Sequence, residues 1–111
     1  MSIKITLLKS GEQLISDMKE LVAENVDNAT AYLLDNPHTI QINENRFLTE
    51  EEKKDGDFGI NVTLVPWIIL SKDKQVVLPT DSVLTVVEPI ESVKKMYIDK
   101  REAFKMEELN D

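Results

Sequence analysis

The chain opens on Ile3-Lys4-Ile5-Thr6-Leu7, where apolar and polar positions alternate and β-branched residues recur, the period-two signature of a strand with one buried face. Lys9-Ser10-Gly11-Glu12 supplies a turn after it. The next segment admits two readings. Leu14, Ser16 and Met18 alternate loosely against Ile15, Asp17 and Lys19, while Leu14, Met18, Leu21 and Val22 also fall on one face of a helix over 11–24. The pattern alone leaves strand and helix open. Residues 23–28, Ala-Glu-Asn-Val-Asp-Asn, are rich in turn formers that tolerate left-handed backbone, and a loop is predicted there.

Ala31-Tyr32-Leu33-Leu34 resumes an extended run, Asn36-Pro37 interrupts it, and Thr39-Ile40-Gln41-Ile42 alternates again. Proline cannot donate to a ladder, so this is one strand with a bulge or edge at Pro37, or two short strands bent there; a strongly bent strand satisfies both. An exposed insertion is predicted over 43–58, with the charged run Glu50-Glu51-Glu52-Lys53-Lys54-Asp55-Gly56 too polar to pack. Gly59 to Leu70 is β-rich, with Pro66 marking an edge or bend, and Ser71-Lys72-Asp73-Lys74 is a polar turn. Gln75-Val76-Val77-Leu78 and Val83-Leu84-Thr85-Val86-Val87 are strands hinged by Pro79-Thr80-Asp81-Ser82. After Glu88-Pro89 the period changes: Val93, Met96, Tyr97 and Phe104 recur at helical intervals, predicting a helix over about 90–105. The whole reads as one mainly β domain over 1–111, with strands at about 2–88 at the spacing of a small barrel, closed by one C-terminal helix.

A chain of 111 residues holds one domain with a modest core. Its 13 Lys+Arg against 21 Asp+Glu leave a formal charge of -8, so the whole molecule lacks the positive field of a phosphate-backbone binder, and any nucleic-acid site must be local. With no cysteine there are no disulfides, thiol nucleophiles or thiolate zinc sites, and the lone histidine, His38, cannot build a histidine metal cluster. No cofactor is expected. No apolar run approaches the roughly 20 residues that span a bilayer, and Met1-Ser2-Ile3-Lys4-Ile5 reads directly into a strand rather than a signal peptide. The expectation is a soluble, cytoplasmic protein that engages no membrane.

The stretch Leu7 to Lys19, in which a strand ends in a Lys-x-Gly turn at Lys9-Ser10-Gly11 and a second strand leaves it, resembles the first motif of the Sm and Sm-like RNA-binding proteins. That resemblance implies a strand for the undecided segment. Val76 to Val86, two apolar strands hinged by a tight polar turn, resembles the second motif, and a long charged insertion separates the two, as in the family. Tyr32-Leu33-Leu34-Asp35-Asn36-Pro37, Pro66-Trp67-Ile68 and Val83 to Pro89 are similar, more closely, to the divergent Sm-like proteins of marine phages. The implied fold is a strongly bent antiparallel barrel of about five strands. Its subunits join edge to edge into a closed homo-oligomeric ring through a heterologous contact, which also pairs strand edges that would otherwise stay open. The implied function is non-catalytic: binding single-stranded RNA or DNA, or scaffolding nucleic-acid processing in phage infection, in the host cytoplasm. An adaptor ring that binds a host or phage protein is the alternative.

The chain departs from the family pattern at the RNA site. The family's Arg-Gly of the second motif falls on Pro79 and Thr80, its loop Asp on Val22, and only Asn25 to Asn28 could stand for its Asn. A second register makes 59–70 the fourth strand and 71–74 the motif loop, placing Lys72 and Lys74 where the family has its Arg. The candidate nucleic-acid residues are therefore Asn25 and Asn28, whose amides can pair with unstacked base edges, and Thr80, Asp81 and Ser82, which can offer hydroxyls and backbone donors in a pore. Each set reads as the chemistry of a plain turn before it reads as a binding site. Tyr32, Phe47, Phe58, Trp67 and Tyr97 read as core or interface aromatics before stacking platforms, and His38 as a surface histidine. Glu50 to Glu52 with Asp55 and Asp57 lack the spacing of a calcium loop. Lys94, Lys95, Lys100, Arg101 and Lys105 interleave with acids at spacings that suit pairing within the helix. No phosphate loop, nucleophile elbow or zinc-protease motif is present, so no enzyme is expected.

Overall fold

The computed structural model describes residues 1–24, 30–44 and 60–109. Among the described residues six strands and one α-helix follow in order: β1 (Ile3–Leu8), β2 (Gln13–Leu21), β3 (Ala31–Glu44), β4 (Ile60–Pro66), β5 (Gln75–Pro79), β6 (Val83–Val87) and α1 (Glu91–Leu109). All pairings are antiparallel, in the order β4-β3-β2-β1-β6, with β5 also on β3. This is the bent, mainly β architecture expected, with six strands because β4 and β5 form one broken line along β3. Residues 38–44 of β3 pair with β4 and residues 31–35 pair with β5.

The bend has a local cause. Asn36 stands at φ 52, in the left-handed region that asparagine tolerates better than most residues. Opposite it, the β2–β3 register jumps, with Ile15 facing His38 and Asp17 facing Asp35, so that Asn36 and Pro37 together oppose Ser16. That is a β-bulge, and it turns the sheet where the proline interrupts the alternation. Gly11, at φ 97, closes the β1–β2 turn by donating to the Leu8 carbonyl at 2.9 Å.

β2 is a strand, as the motif resemblance implied, and its packing explains why its pattern was ambiguous. Residues Leu14 to Met18 are all buried. Ile15 joins Ile3, Leu64, Val93 and Tyr97 in a core beneath α1, whereas Leu14 and Met18 join Leu8, Leu34 and Leu78 in a second core inside the bend. A strand covered on both faces loses the alternation that marks a half-exposed one. Among the described residues no helix is long and apolar enough to cross a membrane.

Candidate nucleic-acid interface

β5 and β6 are hinged by a single 3-10 turn, Thr80–Ser82. The structure thus puts the hinge at Pro79 to Ser82 and leaves 67–74 as a loop between β4 and β5. Thr80 donates to the Thr30 carbonyl from its main-chain N and from its hydroxyl, both at 3.3 Å, and Ser82 Oγ donates to the Pro79 carbonyl at 2.7 Å. The Ser82 carbonyl in turn accepts from the main-chain N of Lys9 at 2.9 Å. The hinge therefore sits between the β1–β2 turn and Thr30, where the chain enters β3. Asn25 and Asn28 lie outside the described residues.

This geometry assigns most of the hinge's hydrogen-bonding capacity. The hydroxyl protons of Thr80 and Ser82 are committed to carbonyls of the fold, so each offers a ligand lone pairs rather than a proton. Asp81 is exposed and carries the hinge's only charge. Lys9, beside it through the backbone, is a cation that reasoning from the second motif missed. The Lys-x-Gly turn was legible in sequence, but its contact with residue 82 is a product of the β1–β6 pairing.

A second polar cluster lies under α1. Tyr97, fully buried, donates its phenol proton to the Asp35 carbonyl at 2.6 Å and accepts from the Asp17 main-chain N at 3.1 Å. Arg101 bridges two carboxylates, with one guanidinium nitrogen 3.0 Å from Asp17 Oδ2 and another 2.6 Å from Asp35 Oδ2. The Ser2 main-chain N donates to Asp17 Oδ1 at 2.9 Å. Arg101 was expected to pair within its helix; it reaches across to β2 and β3 instead, because the docked face of α1 points it at two acids that the antiparallel register sets opposite each other. Among the buried side-chain atoms described, Ser16 Oγ and Arg101 Nε have no partner.

His38 corrects a second expectation: it is buried rather than on the surface. Its Nδ1 lies 2.8 Å from the Asn36 carbonyl and its ring meets Tyr97 edge-on, centroids 5.7 Å apart at 86°. Burial pushes its pKa below the ordinary 6.5, with Lys100 adding to the effect and the Asn36 bond opposing it. The imidazole is neutral at pH 7 and has no face open to a base. Burial likewise drives the Tyr97 phenol up to about 12. Burial alone would raise Asp17, but the Ser2 amide and Arg101 outweigh it and hold the carboxyl below 3.8. For Arg101 the burial penalty is outweighed by Asp17 and Asp35, and its pKa rises. Each group is locked in one protonation state near neutrality, which suits a staple between helix and sheet rather than proton transfer.

The aromatics divide similarly. Trp67 is half-buried against the core inside the bend, with Tyr32, and its indole Nε1 donates to Glu12 Oε2 at 3.1 Å. Phe47, Phe58 and the acidic run at 50–57 lie outside the described residues. Among the described residues no group of three or more histidine or acidic side chains is placed to hold a metal ion.

A strongly bent antiparallel sheet, a Lys-x-Gly turn between its first strands and a one-turn hinge before its last define the class of small Sm-type barrels. Comparison with family models agrees: the Sm_like domain model matches residues 3–98, and the chain belongs to that family. Its members are in general non-catalytic RNA-binding proteins that form oligomeric rings. The search of curated proteins finds no match.

Proposed function

We propose that this chain is a non-catalytic ring protein that takes single-stranded RNA or DNA at the ring's pore. The observation that carries the reading is the pair of open edges at the ends of the bent sheet. β5 pairs only with β3 and β6 only with β1 among the described residues, and both strands are five residues long. Each edge exposes apolar side chains, Val77 at 58% on β5 and Leu84 at 61% on β6. Unpaired edges with apolar side chains are aggregation templates unless another chain closes them. Laying β5 of one copy antiparallel to β6 of the next closes both by a head-to-tail contact that repeats around a ring.

In that ring the hinge Thr80, Asp81 and Ser82 and the β2–β3 loop with Asn25 and Asn28 line the opening. The asparagine amides read base edges and Lys9 meets phosphate. The phage setting rests on the resemblance to marine-phage Sm-like proteins. Sedimentation velocity with and without a labelled mixed-sequence RNA, at low and moderate salt, tests the reading. A ring-sized species that carries RNA, with binding that weakens as salt rises and on Asn25→Ala or Asn28→Ala, is the expected result. A monomer overturns it.

One observation favours a second reading. The net charge of -8 and the commitment of both hinge hydroxyls to the fold leave the opening poor in groups that attract phosphate. A ring that binds no oligonucleotide at either salt but captures a protein is an adaptor instead.

A further inference from the structure

The loop 67–74, between β4 and β5, is an outward excursion with both ends pinned to one point of the sheet. The Trp67 main-chain N donates to the Pro37 carbonyl at 2.9 Å, and the Asn36 main-chain N donates to the Lys74 carbonyl at 2.7 Å. Between those anchors Ile68 is held at φ 53, a left-handed backbone that is costly for a β-branched residue, and Ser71 N donates to the Ile68 carbonyl at 2.9 Å. The result is a tight turn whose tip is apolar: Ile69 is 67% exposed and Leu70 99% exposed. Polar residues would serve a free loop better, and the loop adjoins the open edge of β5 directly at Gln75.

Pairing β5 antiparallel with β6 of a neighbouring copy brings the loop to the far end of that copy's β6. If the strands' midpoints, Val77 and Thr85, lie opposite, then Gln75 faces Val87 of the neighbour and the loop before Gln75 runs alongside the neighbour's residues after Val87. Those residues are Glu88, Pro89 and Ile90, about 10 Å of chain at strand rise. Ile90 is 69% exposed and Val87 47% exposed, so the junction leaves apolar side chains uncovered for the apolar tip to meet. One pair of opposite charges is available as well, although the exposed Asp73 stands beside the loop's cation. The loop brings the exposed Lys72, while the junction offers Glu88, which is paired with Lys4 of its own chain but largely exposed, and Glu91 in the first turn of α1.

We propose that loop 67–74 is a clasp between copies, seating Ile69 and Leu70 on the strand–helix junction Val87–Ile90 of the next subunit, with Lys72 beside its Glu88 and Glu91. The inference rests on the ring reading and adds a contact to it. Burial of these apolar side chains at each interface favours the contact, and the loop's strained backbone is held where it presents them.

The chain has no cysteine, which permits a direct test. The double variant Leu70→Cys/Ile90→Cys is oxidised gently and run on a denaturing gel, beside sedimentation of the unmodified chain. A ladder of covalent oligomers is expected, since a disulfide needs Cα atoms within about 7 Å. Leu70→Asp, at a fully exposed site, is expected to fold normally and to raise the subunit dissociation constant by about tenfold or more. Lys72→Glu is expected to weaken assembly, and Lys72→Glu/Glu91→Lys to restore it. If the unmodified chain sediments as a ring while the cysteine pair yields no intermolecular disulfide and Leu70→Asp assembles normally, the clasp is overturned and the ring stands. If the unmodified chain is a monomer, the ring reading fails and the clasp with it.

Discussion

The face under α1 buries its large side chains, whereas the edge running through loop 67–74 and β5 leaves several exposed. Under the helix, Tyr97, Asp17, Asp35 and Arg101 are bonded together, His38 packs edge-on against Tyr97, and Val93 closes the core around Ile3, Ile15 and Leu64. Along the edge, Leu70 is almost fully exposed and Ile69 and Val77 are more than half exposed. The first region meets its chemistry within one polypeptide, Ser16 Oγ and Arg101 Nε excepted. The second does not, and this open apolar edge is where the proposed ring places the next copy.

That contrast can be broken most severely at Tyr97. Tyr97→Ala removes the largest fully buried side chain and frees the Asp17 amide and the Asp35 carbonyl. It is expected to cost about 3–5 kcal/mol in urea unfolding, enough to release the helix. A cost below about 1 kcal/mol would show that the helix is not seated there.

The pH dependence follows from the same residue. Because the folded phenol's pKa lies above its ordinary value of 10, the native state resists ionisation, so stability is whole below pH 10 and falls as pH climbs to about 12. The loss amounts to about 2–3 kcal/mol and should be absent from Tyr97→Phe. Asp17 acts at the other end with the opposite sign. Its carboxyl is depressed in the fold, so its contribution is present above about pH 4 and disappears as pH falls through the folded value. An acid unfolding curve that is the same for Asp17→Asn as for the unmodified chain would contradict this.

Arg101→Met sharpens the comparison with a smaller effect. It leaves Asp17 and Asp35 facing each other without a cation, at side-chain exposures low enough that water compensates only in part. About 2 kcal/mol is expected, less than for a fully buried triad. Adding Asp35→Asn should recover part of it, as a double-mutant cycle would show.

The smallest effect on the fold belongs to the open edge. Val77→Lys and Leu84→Lys are expected to change unfolding free energy by no more than about 0.5 kcal/mol, since both side chains are mostly exposed in one copy. Sedimentation should nevertheless show the assembly lost. An edge variant that destabilised the subunit as strongly as Arg101→Met would mean that the two regions do not differ as described.

Local chemistry was enough to determine several things about this protein. Alternation in Ile3 to Leu7 and Val83 to Val87, the glycine needed at position 11, and helical spacing from Val93 to Tyr97 each reflect interactions within a few residues, so they are written in the order of the chain. The two Sm motifs were readable for the same reason. Tertiary structure decided the rest. β2 became a strand buried on both faces only because α1 and the bent sheet cover it from two sides. His38 and Arg101 left the surface because a bulge at Asn36–Pro37 set Asp35 opposite Asp17 and brought both under a helix some sixty residues further on. The apolar side chains of loop 67–74 read in sequence as the end of a strand. Anchoring at Asn36 and Pro37 turned them outward instead, because hydrogen bonds between distant segments fix which face of a local element meets solvent.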